Sequence, residues 1–337
     1  MKDVIILAIE SSCDETCCSI VKNGREVLSN VISSQIEIHK RFGGVVPEIA
    51  SRNHTLAVQN VVKEGVERAG ITLKDVDAVA ITYGAGLVGA LLAGLSFAKA
   101  LAYSLNVPLI PVNHIRGHIA ANYITDKELK PPFLCLVASG GHTVILEITD
   151  YTTHKYLGGT FDDACGEAFD KVAKTLGLPY PGGPSVSKLA LEGKSTIKFP
   201  KMLKADKGYN FSYSGLKTAV INHIHNLEQR GEEVNKADVA CSFQKTAIDA
   251  LVEKTIKAAT ELNYSTIAVA GGVGANDYLR SELTKKCKRK GIKLVLPDKI
   301  MCTDNGAMIG AEGYIEYVYG NKAGKNLELN ASPSLKL

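Results

Sequence analysis

The chain writes one pattern twice, and that repetition limits its folds more than any single residue does. An apolar run at residues 4–10 leads into the polar turn Glu10-Ser11-Ser12-Cys13-Asp14-Glu15-Thr16, followed by strand-like runs at 18–21 and 27–33. Further on, the apolar run 133–138 leads into Ser139-Gly140-Gly141-His142-Thr143, followed by strand-like runs at 144–148 and 154–157. Short apolar runs bounded by polar or glycine turns read as buried strands. Strand, turn, strand, strand in each half is the layout of two-lobed nucleotide-binding folds, where each half offers one turn to phosphates. Two unrelated hairpins would also produce it, so the remaining motifs carry weight.

Between the copies the pattern is α/β. A helix is expected from Pro47, suited to a first helical turn, to about residue 69. Strand 76–82, helix 87–105 and strand 107–112 follow. The polar stretch 126–132 ends in Pro131-Pro132 and reads as a linker. The expected division is a first lobe of residues 1–128 completed by a returning helix in 305–337, with a second lobe of 129–304. Residues 87–105 are apolar but contain Lys99 and many small residues, which predicts a buried helix rather than a membrane span. Residues 1–9 read as a first strand rather than a leader, so the cytoplasm is the expected location.

Composition excludes little. The 337 residues are 45% hydrophobic and 22% charged, an ordinary globular balance, and the net charge of +4 neither requires nor opposes a nucleic-acid partner. The eight cysteines include no C-x-x-C pair and read as buried thiols of a reducing compartment.

The residues with chemical content are spread along the chain. His114 and His118 are four apart, one face of a helix and within reach of a shared metal ion. Two surface histidines of an ordinary helix have the same spacing. Ile115 stands where a zinc protease needs its glutamate base, so the pair does not suit peptide hydrolysis. Asp304, in Cys302-Thr303-Asp304-Asn305-Gly306, precedes a helix expected at 307–319. It offers a third ligand, although Thr303 or Asp304 could equally cap that helix. Gly140-Gly141 could bring backbone N–H groups close to a phosphate, or simply turn a hairpin. Residues 267–270, Gly271-Gly272-Val273-Gly274-Ala275-Asn276 and a helix from Asp277 form a strand, glycine turn and helix that suits an anionic or nucleoside ligand. Asn276 could bind a purine or ribose, or cap the helix. Asp162, Asp163, Glu167 and Asp170 are four carboxylates within nine residues, suited to ribose, metal or a helix N-terminus. The run Arg280, Lys285, Lys286, Lys288, Arg289 and Lys290 could meet phosphates or be a solvated helix face.

Taken in order, these motifs, with Pro179-Tyr180-Pro181-Gly182-Gly183-Pro184 and Phe211-Ser212-Tyr213-Ser214-Gly215-Leu216-Lys217-Thr218, resemble the universal tRNA threonylcarbamoyl transferase family, once misnamed O-sialoglycoprotein endopeptidase. The resemblance runs from residue 5 to about 315 and is to the bacterial branch. It implies the two-lobed actin-like and sugar-kinase (ASKHA) fold. It also implies one divalent metal, Fe2+ ahead of Zn2+, on His114, His118 and Asp304. A nucleotide (threonylcarbamoyl-AMP, or ATP or ADP) would lie on Val137, Ala138, Ser139, Gly140 and Gly141, with Asp170, Gly183, Ser187 and Asn276 holding the adenosine. Ser187 stands where the family usually has an acidic residue and Ala85 where it often has proline; serine can still hydrogen-bond. The implied reaction is acyl transfer to the adenosine 3′ of the anticodon of tRNA, with no protein nucleophile. The implied partners are a paralogous dimerisation subunit lacking the metal site and a small P-loop ATPase, with no membrane. The alternatives are a non-catalytic nucleotide-binding scaffold of the same complex, a metalloprotease and a sugar kinase. Intact His114, His118 and Asp304 argue against the scaffold.

Overall fold

The computed structural model describes residues 2–203, 208–320, 324 and 326–337. The chain forms two compact units. The first comprises Met1–Pro131, Asp150–Thr153 and Pro297–Leu337; the second comprises Pro132–Thr149 and His154–Leu296.

In the first unit, strands β1 (Ile5–Glu10), β2 (Glu15–Lys22) and β3 (Glu26–Ser34) form an antiparallel meander. A short helix α1 (Ile36–His39) and the long α2 (Pro47–Ala69) follow, then β4 (Ala78–Gly84), α3 (Val88–Leu105), β5 (Leu109–Asn113) and α4 (His114–Thr125). The sheet order is β3-β2-β1-β4-β5, with β4 parallel to both β1 and β5. β1 is buried on both faces, and its uninterrupted apolar run is the signature of such a strand. Each fully buried Leu or Ile there contributes about 1.5–3 kcal/mol relative to exposure.

Helices α2 and α3 cover one face of this sheet, packing around Leu7, Ile9, Val79 and Ile81. α3 is long and apolar enough, at 18 residues and a mean hydropathy of 1.5, to cross a membrane by length and composition. It buries one face, including Leu91, Leu95, Ala98 and Ala102, and exposes Val88 and Leu92 on its flank. The helix expected at 87–105 is therefore covered on one side only.

The second unit repeats the arrangement. Strands β6 (Phe133–Ala138), β7 (Thr143–Ile148) and β8 (His154–Gly159) form the meander, followed by α5 (Cys165–Thr175), α6 (Gly182–Ala190), α7 (Ser214–Gln229), α8 (Lys236–Glu261), β9 (Thr266–Ala270), α9 (Asp277–Lys290) and β10 (Lys293–Val295). Its sheet order, β10-β9-β6-β7-β8, is that of the first sheet read from the other edge, with β9 parallel to β6 and β10. The duplication read from the sequence is thus one of full connectivity.

The chain returns to the first unit in α10 (Lys299–Cys302) and α11 (Gly306–Val318), which cover the other face of the first sheet with α4 around Ile6, Ala8, Ile110 and Val112. A stripe of glycines sets the depth of α11. A Cβ on Gly310 would lie 2.4 Å from Val21 Cγ2, and one on Gly313 would lie 2.6 Å from Ala80 Cβ.

The units differ from the division expected at 128/129 and 304/305. The first break falls inside the expected linker, between Pro131 and Pro132. Residues 297–304 and 150–153 pack in the first unit, not the second. The physical reasons are local. Cys302 is buried, and α10 contacts α4. The Arg116 guanidinium donates to the carbonyls of Tyr151 (3.3 Å) and Thr152 (3.2 Å) while its Nε donates to Glu312 Oε1 at 2.6 Å.

Candidate metal centre and nucleotide turn

The metal-type cluster is built wholly from the first unit. β5 delivers the chain to Asn113, whose side-chain oxygen accepts from Ile115 N–H (2.9 Å) and Arg116 N–H (3.3 Å). That cap starts α4 at His114, so His114 and His118 lie one turn apart on its first turns. Their rings sit edge to face with centroids 4.7 Å apart. Asp304 arrives from just before α11. The sequence left Thr303 or Asp304 as the cap of that helix, which was expected to start at 307; instead Asn305 takes the role, accepting from Met308 N–H at 3.0 Å, and the helix starts at Gly306. The Asp304 carboxylate is thereby left to reach the histidines.

Asp304 Oδ1 lies 3.2 Å from His118 Nε2 and 3.6 Å from His114 Nε2. One ligand atom from each of the three residues lies within 4.8 Å of the others, which makes this a possible metal site. His118 is buried, and among the described residues its Nδ1 has no hydrogen-bond partner.

The surroundings are acidic. Glu10, fully buried at the end of β1, presents Oε2 at 3.2 Å from His114 Nδ1. Burial works against the charged His114 ring, but the charges of Asp304 and Glu10 outweigh it and push its pKa up to about 9. Burial likewise works against the Asp304 carboxylate, and the two histidines outweigh it and hold its pKa low. Burial, then the charges of Asp14 and Asp304, push Glu15 up to about 9.

The His114 shift sets a pH dependence. Its folded-state value of about 9 exceeds the ordinary 6.5, so the charged ring stabilises the metal-free fold fully below about pH 6.5. That stability is lost as pH rises through about 9. Denaturant midpoints of chelator-treated protein are expected to fall between pH 6.5 and 9.5, and His114→Asn is expected to flatten this slope. An equal slope in the variant would contradict it.

The residues expected to bind nucleotide all lie in the second unit. Val137 and Ala138 end β6, and Ser139 N–H donates to His142 O at 2.8 Å across the Gly140-Gly141 turn. Gly166 at the start of α5 donates its N–H to Ser139 O at 3.1 Å. Among the described residues, a Cβ on Gly140, Gly141 or Gly183 would meet nothing beyond its chain neighbours within 4 Å. Asp170 Oδ1 accepts from Gly182 N–H at 2.8 Å, tying α5 to the start of α6. Asn276 caps α9 by accepting from Leu279 N–H at 2.9 Å, and its Nδ2 donates to Ser187 Oγ (2.9 Å) and Gln244 Oε1 (2.8 Å). Asn276 and Ser187 are therefore brought together, and Asn276 is a helix cap with a second set of partners.

The first acids of the 162–170 run serve the architecture, and two members of the basic run have partners within the unit. Asp162 accepts from Tyr213 N–H (2.7 Å) and Ser214 N–H (3.2 Å) at the start of α7. Asp163 pairs with Lys171 and Lys217 at 2.8 and 2.6 Å. In the basic run, Arg280 donates to Gly274 O at 3.0 Å and Lys285 pairs with Glu282 at 2.8 Å.

The residue that the sequence reading missed as part of the site is Glu10. Its signal was there: one acidic residue closing an otherwise wholly apolar strand.

These features define an actin-like, sugar-kinase-like α/β protein, and comparison with solved structures agrees. Full-length HypF in its phosphate- and nucleotide-bound form superposes with a TM-score of 0.62 at 16% identity, over 95% of this chain and 47% of HypF. Component A of (R)-2-hydroxyglutaryl-CoA dehydratase from Acidaminococcus fermentans superposes with a TM-score of 0.52 at 13% identity, over 95% of this chain and 98% of that one. The family model for tRNA N6-adenosine threonylcarbamoyltransferase matches residues 26–311. Proteins of that name from Clostridium botulinum strain 657 and Clostridium perfringens strain SM101 are 56% and 55% identical, each over 100% of this chain and 99% of the relative. The chain belongs to the tRNA N6-adenosine threonylcarbamoyltransferase family: it is an acyltransferase that modifies tRNA.

Proposed function

We propose that the chain moves the threonylcarbamoyl group of threonylcarbamoyl-AMP to the N6 amine of the adenosine just 3′ of the anticodon, in tRNAs reading codons that begin with A. The observation that carries this reading is the convergence of His114, His118 and Asp304 in a chain of this family. The residue types fit an ion. Two imidazoles and one carboxylate leave positions open for a substrate oxygen, and the set suits Fe2+ ahead of Zn2+.

An adenine amine is a weak nucleophile because its lone pair is delocalised into the ring, so the donor must be an activated mixed anhydride. When bound, the ion supplies Lewis-acid neutralisation of the charge that grows on the departing AMP phosphate. Val137, Ala138, Ser139, Gly140 and Gly141 form the turn that receives the nucleotide, and the backbone of Gly140-Gly141 is the part that would offer amides to anionic oxygens. Gly140 and Gly141 support this reading. Among the described residues a Cβ on either would strike no neighbour, so the space beside the turn is open to a molecule from outside. Asp170 and Gly183 bound the adenosine site, and Asn276 enters through its bond to Ser187. No protein nucleophile is required.

The proposed partners are a paralogous dimerisation subunit without the metal ligands and a small P-loop ATPase, and the proposed location is the cytoplasm. The test supplies threonylcarbamoyl-AMP, unmodified tRNA and both partner proteins. Nucleoside mass spectrometry is expected to find threonylcarbamoyladenosine. No modified nucleoside from the complete mixture would overturn the reading, and many turnovers by the chain alone without ATP would overturn the partners.

A further inference from the structure

A fully buried carboxylate is costly unless donors surround it, so Glu10 needs a reason. Three donors meet it. Ser12 N–H donates to Oε1 at 2.5 Å, Thr82 Oγ1–H donates to Oε2 at 2.5 Å, and His114 Nδ1 lies 3.2 Å from Oε2. The other neighbour of His114 Nδ1 is Ser12 Oγ, at 3.1 Å. Between a carboxylate and a hydroxyl the carboxylate is the stronger acceptor, and an Nδ1 lone pair facing Oε2 at that distance would be repelled. The Nδ1 of His114 therefore carries the proton, and Nε2 is the nitrogen turned toward Asp304.

We infer that Glu10 is a positioning residue for the metal centre: it fixes the ring of His114 in the Nδ1–H tautomer and so reserves Nε2 for the ion. This rests on the metal reading above. It assigns Glu10 no contact with substrate. With Asp304 it adds a second carboxylate beside two neutral imidazoles, which balances a dication.

The isosteric change Glu10→Gln tests it directly. The backbone N–H of Ser12 demands an acceptor, so the Gln oxygen takes the Oε1 position and the NH2 takes the position facing His114. Thr82 can rotate its hydroxyl to accept. The NH2 then donates to Nδ1, and the ring proton moves to Nε2, where it competes with the ion.

Zinc is the probe, being diamagnetic and suited to the same donors. In the zinc-loaded full chain, nitrogen-15 imidazole NMR is expected to show His114 protonated at Nδ1 and bound through Nε2. Competition with a chromophoric chelator is expected to give E10Q a zinc Kd higher by about 10- to 100-fold. Ser12→Ala, which keeps the backbone donor, is expected to stay near the unaltered value. Ligation through Nδ1, an E10Q Kd equal to that of the unaltered chain, or an equal loss in S12A each overturns the role of Glu10. The NMR result decides the matter even should E10Q not fold. Failure of the unaltered chain to bind zinc, or zinc binding that survives His114→Ala, would instead overturn the metal reading beneath it.

Discussion

His114→Ala and Asp304→Ala are each expected to cut threonylcarbamoyladenosine formation by roughly a thousandfold, since Lewis-acid stabilisation of a leaving phosphate is worth several kcal/mol. The bound metal should be lost with it. The fold should survive, because Asn305, not Asp304, caps α11 and Asn113, not His114, caps α4. Both variants, treated with chelator beside the unaltered chain, should still show the cooperative unfolding that the unaltered chain shows. Metal analysis, circular dichroism and nucleoside mass spectrometry on the same samples separate the outcomes. Full product from either variant would remove the ion from the reaction, whatever its geometry.

The second large effect should separate ligand binding from stability. Gly140→Leu introduces a side chain where, among the described residues, no atom beyond its chain neighbours lies within 4 Å of the new Cβ. Its unfolding free energy should move by no more than about 0.5 kcal/mol. If the turn receives the nucleotide, the side chain occupies that space, and adenylate affinity should fall by about 10- to 100-fold, the equivalent of 1–3 kcal/mol of overpacking. Gly271→Ala should behave in the opposite sense. Gly271 has φ +86°, and its Cβ would lie 2.5 Å from Ala138 O, so the cost of about 1–3 kcal/mol falls on folding first. Calorimetry with a non-hydrolysable adenylate and thermal unfolding of the two variants checks both halves. Normal nucleotide binding by G140L would detach this turn from the ligand.

Much of the architecture was legible because buried strands announce themselves. The runs ending at Glu10 and Ala138 are apolar without alternation, as strands covered on both faces must be. Their duplication pointed to paired sheets with one connectivity. The metal triad was legible only in part. Helical spacing linked His114 with His118, but Asp304 joined them through resemblance, since nothing local says which of Thr303, Asp304 and Asn305 will cap. All three can do it, and the choice rests on the extended backbone at Asn305. The packing of 297–304 beside α4 is a tertiary contact that no window of sequence carries. Density of acids at 162–170 left ribose, metal and a helix N-terminus all open. Charge alone does not distinguish a ligand from a cap, and Asp162 turned out to hold the N-terminus of α7.

The late return of the chain to its first sheet has a consequence for synthesis. β1, β4 and β5 are made within the first third of the protein, yet the face bearing Ile6, Ala8 and Val112 is sealed by Met308 and Ile309 of α11. The intervening second unit, nearly all of it one continuous stretch, can mature on a ribosome before its predecessor has a finished core. The first-made half must wait, that face covered by α4 alone, for the last-made helix. Stalling or early termination near residue 300 would therefore release a chain whose older half is the unfinished one.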